Sequence, residues 1–560
     1  MDMIVNLIKA VFAALMSVIM TLSGFLGSLP GKEKSSPEIP EMAPGTITAE
    51  DAGETDYAPP VLISEDYPEI NYEGAQSAIT ENFSQSFDSF SRDLPAGYTA
   101  AENKIYKAVG YIYEDAETIR TRIPGGGVSI TGAKNALNKL GADGYIQAQN
   151  QKYKRLRENL YVQGAAAGGE FTYVIAEGTN IKGSYEGSTY SSSVLSKHSS
   201  DGTLVKAVEI SNYSNELHFT GIAASADSGV VLCGYSPISE TAGSNYAFIE
   251  KYDSDFNKVW TKRIYGEGSD YINCIASTPD GGFVAGGYTN STTHDFDGIP
   301  DYGYFCAVLM KFNADGDRVW CRYLGGSGVS SVVDIDTDSS GNIFADISSS
   351  CADGDFAGFS GKFANNVDNV IIKYDGNGLM KWKCVLSTNS RDYFDCVAAD
   401  GNGGCLAGGN FSHNSSGMVV QSGTLSGLFI SGGSDIVIAS IGSYGNLTKA
   451  RLLKGTSSDY LRDIAKLSGG WLLTGYSESE DGEFTYPEGL SNQGDYDAFA
   501  EVIDSSLAKA EMINFGGEQR DVATAALANG NSFTVFGDID TAAGGSITSE
   551  YFIKGYTYNG

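Results

Sequence analysis

The chain has 560 residues and a formal charge of −32, yet only 19% of its residues are charged, against 70 glycines and 33 tyrosines. That balance argues against nucleic acid and anionic membrane surfaces as partners, because both require basic patches. The Gly- and Tyr-rich composition suits an all-β repeat body. In chain order, a single Lys9 first precedes an apolar stretch, Ala10 to Leu29, of about 20 residues. That length can span a bilayer, or serve as a signal peptide cut near Ser23–Gly27. Both readings of residues 1–30 stay open, since Lys32 and Lys34 on the far side blunt the orientation signal. Either one implies export to the cell surface or the extracellular space, with membrane contact through residues 10–29 if the segment is uncleaved.

Residues 31–69 carry six prolines and a run of acids from Glu38 to Glu69. Low apolar content with repeated proline cannot pack a core, so this part reads as an extended, disordered stalk. Residues 70–142 read as a helical region flanking the main body. Thr99-Ala100-Ala101-Glu102 is a capping box. Ile105, Val109, Ile112, Ala116 and Ile119 then make one apolar stripe, ended by Pro124 and Gly125. A shorter helix is expected over 132–140, stopped by Gly141. The stripe suits packing on the main body or a partner helix.

A repeat of about sixty residues fills 143–560. Its clearest copy reads YINCIASTPDGGFVAGGYTNS (271–291), a long polar loop, then FCAVLMKFNADGDRVWCRYLGGSG (305–328). Each copy holds four short runs with strand character, joined by turns such as Pro279-Asp280-Gly281-Gly282 and Asn313-Ala314-Asp315-Gly316. Four antiparallel strands per copy and no βα alternation describe a β-propeller. The first strands begin near Leu160, Leu217, Tyr271, Ser331, Tyr393, Tyr460 and Val522, which gives seven blades, with six or eight as alternatives if one boundary is misplaced. The last copy lacks a fourth strand, and YIQAQNQKYK (145–154) is expected to supply it and close the ring, protecting the edges. Trp260, Trp320 and Trp382 recur at one point of the fourth strand, which suits packing between blades better than ligand platforms.

The order DGG-F-x-x-AGGY, DGDF-x-G and K-Y-D-x-x-G-x-x-x-W resembles the propeller repeats of secreted and surface-attached bacterial proteins, the delta-sixty and related uncharacterised families. The resemblance covers about 143–560 and implies a propeller of no assigned chemistry. Blade five departs from it, with no tryptophan at Leu447-Thr448-Lys449-Ala450 and an insertion at 412–434.

The eight cysteines fall between 233 and 405. An even number in an exported chain suggests disulfides. Cys396 and Cys405, however, do not face each other in the inferred register, so small buried hydrophobes is the preferred reading. No C-x-x-C motif occurs and there are four histidines, so zinc is not expected.

Loops joining second to third strands, and loops joining blade to blade, emerge on one face, and both sets are elaborate. That long-loop face is the expected binding surface. Its carboxylates and aromatics, Asp295, Asp297, Tyr302, Asp353, Asp355, Phe356, Asp481, Phe484, Tyr486 and Tyr496, suit a glycan or a surface protein. Carboxylates with main-chain oxygens also suit Ca²⁺. The competing reading is that the DGDF-type loops fold on themselves through Asx turns. Asp270, Asp392, Asp459 and Asp521 recur where each blade begins. They either ring the channel mouth or cap local N–H groups.

Asn313 to Trp320 faintly resembles the Asp box of sialidase-type propellers, and Arg122-Ile123-Pro124 a tripeptide near their first arginine. Asp317 replaces the box glycine, however, and arginines are sparse in the blades. The leading expectation is therefore a non-enzymatic, surface-displayed binding or adhesion protein. A propeller glycosidase or polysaccharide lyase, and an envelope scaffold or sensor, are the alternatives.

Overall fold

A computed structural model describes residues 61–63, 79–87, 160–182, 189–210, 217–237, 244–359, 367–387, 392–412, 418–419, 424–425, 427–430, 433–484, 495–543 and 546–559. Seven sheets of antiparallel strands form seven blades. Their first strands are Leu160–Gly168, His218–Ala224, Asp270–Ser277, Ser330–Thr337, Asp392–Ala399, Asp459–Lys466 and Asp521–Asn529. Each touches the first strand of the next blade, and the seventh touches the first, so these strands line a central channel. All starts lie within one residue of the expected ones.

Blade 3 shows why the repeat folds this way. Its strands are Asp270–Ser277, Phe283–Thr289, Cys306–Phe312 and Arg318–Leu324. At the first hairpin, Gly281 takes φ +81, a left-handed conformation open to glycine at no steric cost. The Asp280 carboxylate accepts the Gly282 N–H at 3.1 Å and the Lys311 ammonium at 2.8 Å. At the second hairpin, the Asn313 side chain accepts the N–H groups of Asp315 and Asp317 at 3.0 and 2.8 Å. Asp253, Asp375 and Asp504 make the same Asx turn in blades 2, 4 and 6.

Apolar side chains from both faces of each sheet meet those of the neighbouring blades. Ala223, Val231 and Ile249 of blade 2 pack with Ile272, Phe283 and Met310 of blade 3. The tryptophans serve this packing, as expected. A Cβ on Gly316, Gly378 or Gly445 would lie 2.7 to 3.0 Å from Trp260, Trp320 or Trp382 of the preceding blade, and Trp320 Nε1 donates to the Gly376 carbonyl at 3.0 Å. All eight cysteines are free; seven are buried and Cys321 is half-buried. Burial pushes the Cys233 thiol up to about 12.

Ring closure differs from expectation. The fourth strand of blade 7 is Ile79–Phe87, antiparallel to Ser546–Tyr558, with Ile79 opposite Tyr558 and Phe87 opposite Tyr551. Segment 145–154 lies outside the described residues. The closing strand is mostly polar because it lies at an outer edge and needs few apolar anchors. Ile79 is buried, and the Phe83 ring fills the space where Gly555 and Gly202 lack side chains. The seam between blades 7 and 1 is sealed by Phe536, Tyr551 and Ile553 against Val162, Val174 and Val194.

A second correction concerns the stalk. Val61–Ile63 runs parallel to Lys449–Arg451 and adds a fifth strand to the outer edge of blade 5. The rest of the expected stalk, the apolar stretch 10–29 and the expected helices over 99–140 lie outside the described residues. No helix among the described residues is long and apolar enough to cross a membrane.

Candidate functional site

The channel wall is built from a β-bulge repeated seven times. Each first strand slips register at its fourth position, or its third in blade 2, leaving Gln163, Thr220, Asn273, Val333, Asp395, Arg462 and Thr524 opposite no partner residue. All seven are half-buried or exposed and form one tier around the channel.

The bulge also frees backbone groups, and neighbouring blades satisfy them. The Thr220 hydroxyl donates to Ile272 O at 2.6 Å, and the Asn273 amide to Val332 O at 2.7 Å. In the other direction, Asp538 accepts Val162 N at 2.7 Å, Asn410 accepts Leu461 N at 2.9 Å, Asp334 accepts Val397 N at 2.9 Å and Asp463 accepts Ala526 N at 2.7 Å. Burial dominates the acidity of these carboxyls, pushing Asp334 up to about 6, Asp463 to about 7 and Asp538 to about 8. They lace the ring together from inside.

Two residues nearer the long-loop face, a tier of cross-strand pairs rims the mouth. The pairs are Tyr161 with Glu177, His218 with Tyr235, Tyr271 with Tyr288, Ser331 with Ser348, Tyr393 with Asn410, Tyr460 with Tyr476, and Val522 with Asp538. The rings make two arcs. In the first, His218 stacks on Tyr235 at 5.0 Å, Tyr235 meets Tyr271 edge-on at 4.9 Å, Tyr271 stacks on Tyr288 at 4.5 Å, and Phe305 closes on Tyr288 at 5.2 Å. In the second, Tyr460 stacks on Tyr476 at 4.8 Å, Tyr496 stands edge-on to Tyr476 at 5.1 Å, and the Arg462 guanidinium lies 5.4 Å from the Tyr476 ring centre. Tyr393, 40% exposed, stands between the arcs on blade 5. These tyrosines were visible in the sequence only as repeat positions. Without the bulge register, nothing marked them as a rim.

The long loops fold on themselves. In blades 3, 4 and 6 a 3₁₀ turn presents the same device: His294–Phe296, Gly354–Phe356 and Gly482–Phe484. Its middle N–H donates to the carbonyl of the preceding inter-blade turn, Asp295 to Tyr265 at 3.3 Å, Asp355 to Gly325 at 2.9 Å and Glu483 to Lys454 at 3.0 Å. Its phenylalanine plugs the core: Phe296, Phe356 and Phe484 are at most 2% exposed. Phe356 and Phe484 are therefore unavailable to a ligand. Most of the loop carboxylates are also engaged. Asp295 accepts Tyr265 N at 3.1 Å, Asp353 accepts Ser327 N at 2.8 Å and Asp481 accepts Thr456 N at 2.8 Å. Asp355 accepts both Gly325 N at 3.0 Å and the Tyr302 hydroxyl at 2.6 Å. Asp297 is exposed, and Tyr486 lies outside the described residues. Tyr496 alone among the described aromatic candidates belongs to the rim; its hydroxyl bond to Glu478 pushes its pKa up to about 12. Loop self-folding, the competing reading, describes these segments.

Three of the four recurring aspartates, Asp270, Asp459 and Asp521, hold local turn and strand-end groups instead of ringing the mouth. Asp270 is fully buried and accepts Gly266 N at 2.8 Å and the Thr289 hydroxyl. Asp459 accepts the Ser477 and Ser479 hydroxyls at 2.5 and 3.0 Å. Asp521 accepts Gly517 N at 2.6 Å and Asp540 N at 3.0 Å. Burial raises all three, Asp459 to about 8 and Asp521 to about 7. For Asp392 the backbone is described, pairing with Phe411. Asn313 to Trp320, the segment like an Asp box, is the Asx turn and fourth strand of blade 3. Among the described residues no group of three or more His, Cys, Asp or Glu side chains is placed to hold a metal ion.

No protein-family model and no curated protein sequence matches the chain. The chain is similar in structure to hydrazine synthase from Kuenenia stuttgartiensis, with 8% identity, 69% of this chain and 94% of that one covered, and a TM-score of 0.38. The WD40 β-propeller domain of Doa1 shares 10% identity over 71% and 93% of the two chains, with a TM-score of 0.34. The polysaccharide lyase Uly1 shares 10% identity over 71% and 90%, with a TM-score of 0.39. The protein is a seven-bladed β-propeller of four-stranded antiparallel blades.

Proposed function

We propose that the chain is a non-enzymatic binding protein, displayed at the cell surface or released from it, which takes a glycan or protein ligand at the channel mouth on its long-loop face. One observation carries this reading: the two arcs of stacked, half-exposed aromatic rings around that mouth, with a tier of amide, hydroxyl and charged side chains beneath them. Aromatic bodies with polar tips suit surfaces that bind partly apolar, partly hydrated ligands. The apolar stretch 10–29 and the acidic, proline-rich segment after it support export. The resemblance of the repeat to the delta-sixty group of bacterial surface propellers belongs to the same proposal.

The test is a glycan and protein array probed with the full chain, followed by Tyr271→Ala and Tyr460→Ala. Loss of the captured ligand in either variant, with the fold intact by circular dichroism, supports the mouth as the site. A ligand bound with unchanged affinity by both variants places binding elsewhere.

A further inference from the structure

The inner strands leave an extended peptide no edge to pair with. The first strand of a blade has one open side, toward the channel, and side chains of adjoining blades reach into it on all seven. In blades 1, 5, 6 and 7 they accept an N–H. Asp538 takes Val162 N at 2.7 Å, Asp336 takes Ala399 N at 2.8 Å, Asn410 takes Leu461 N at 2.9 Å and Asp463 takes Ala526 N at 2.7 Å. In blades 2, 3 and 4 they donate to a carbonyl: Ser277 to Ala224 O, Thr220 to Ile272 O and Asn273 to Val332 O. Strand addition needs such groups open. Recognition at the mouth therefore falls to side chains.

The aromatic side chains there are not spread evenly. The first arc belongs to blades 2 and 3, the second to blade 6. From the junction of blades 2 and 3 to blade 6 is half a turn of the seven-bladed ring in either direction. The two arcs thus face each other across the mouth. Tyr393 of blade 5 stands between them on one side, and Thr524 of blade 7 and Gln163 of blade 1 on the other. Neighbouring first strands approach within 8 Å at Cα. A ring of seven such steps is too wide for one sugar unit to touch both arcs, and short enough for an oligosaccharide to cross.

Charge narrows the ligand further. A polyanion meets the overall charge of −32. A cation seeking ring faces meets the Arg462 guanidinium, which already lies 5.4 Å from the centre of Tyr476, itself stacked on Tyr460 at 4.8 Å. A neutral sugar meets neither obstacle. Its C–H face suits a tyrosine ring, and its hydroxyls suit phenol, amide and hydroxyl tips.

We infer that the mouth is a two-subsite cleft for a neutral, linear oligosaccharide, with one sugar unit on each arc and the chain between them lying across the channel. This rests on the reading of the mouth as the binding site and gives that site a ligand class and a minimum ligand length.

The experiment is titration calorimetry of the full chain with ladders of linear neutral gluco-, manno-, xylo- and N-acetylglucosamine oligomers, from the single sugar upward. Short oligomers should bind weakly, two to a chain. Past the spanning length, binding should change to one per chain and tighten about a hundredfold, because the second contact becomes intramolecular. Tyr271→Leu and Tyr460→Leu keep apolar bulk and remove a ring face, and circular dichroism checks their fold. Each should abolish the gain with length and leave one weak site for short oligomers. The double variant should bind none. Affinity without a step in length, a stoichiometry that never changes, a gain that survives in either variant, or no binding of any neutral oligomer overturns the inference. If a ligand found on the arrays is lost in Tyr271→Ala or Tyr460→Ala but shows no length step, the mouth remains the site and only its two-subsite form falls. A ligand indifferent to both tyrosines defeats the broader reading instead.

Discussion

Phe356 shows how one side chain can be assigned opposite roles. In a Gly-Asp-Phe loop on the expected binding face it invites reading as a ligand contact, yet it is 1% exposed and packs edge-on against Phe359 at 5.5 Å. Replacing a buried phenylalanine by alanine removes about 3–5 kcal/mol of stability. Phe356→Ala and Phe484→Ala should therefore lower the urea midpoint by that scale, and any ligand affinity left at a temperature where the variants are folded should be unchanged. A variant as stable as the parent would mean the plug is not anchoring the loop. Gly378 makes the complementary point. It sits at φ +74, and a Cβ there would lie 2.9 Å from the Trp320 ring. Gly378→Ala combines backbone strain with a clash and should destabilise by about 1 kcal/mol or more.

The strand that closes the ring is the element whose loss should matter most. A chain beginning at residue 143 keeps everything the repeat makes visible, yet it lacks Ile79–Phe87 and leaves Ser546–Tyr558 as an open edge. It should melt at lower temperature and self-associate in sedimentation, whereas a chain beginning just before Val61 should behave as the parent does. Equal melting of the two would remove the closing role. The sequence shows why this element was hard to see. Inner strands announce themselves, because both faces are buried and Val, Ile, Ala and Gly recur in register from Leu160 to Val522. ITENFSQSF has one useful edge and, over residues 79–85, two anchors in Ile79 and Phe83 among exposed side chains, so its pattern matches that of a polar linker. The rim tyrosines were hidden differently. Their grouping depends on where each first strand bulges, and a one-residue slip sends a side chain to the other face. The self-folding of the Asp-containing loops, by contrast, was legible as Asx chemistry, because a carboxylate next to free N–H groups has a local use before any ligand arrives.

For the whole ring, the buried carboxyls set the response to pH. Asp334 and Asp395 titrate near 6, Asp463 and Asp521 near 7, and Asp459 and Asp538 near 8 in the folded state. The unfolded value is about 3.9. The folded ring therefore holds protons that the unfolded chain has released. Their contribution to stability is complete below about pH 4 and is lost as pH rises through 6 to 8. Glu267, held down at about 2 by Thr293 and Thr292, acts in the opposite sense, but its effect is complete by about pH 5. The urea midpoint should thus be higher at pH 5.5 than at pH 8.5, and Asp538→Asn should shrink the difference. A midpoint that rises toward pH 8.5 would show that these carboxyls are hydrated in the folded ring.

The closing strand also decides how the molecule carries load. Residues 88–159 run between two pinned points, the outer edge of blade 7 and the inner edge of blade 1. A pull applied upstream therefore never reaches the blades in sequence. It first peels the three-residue parallel pairing of Val61–Ile63, a short mechanical fuse, and then bears on the nine-residue antiparallel seam. Once that seam parts, the pull passes on to the first strand of blade 1. Pulled from its N-terminal side, the ring would yield first at its clasp, with the seven blades still intact and able to close again when the force drops.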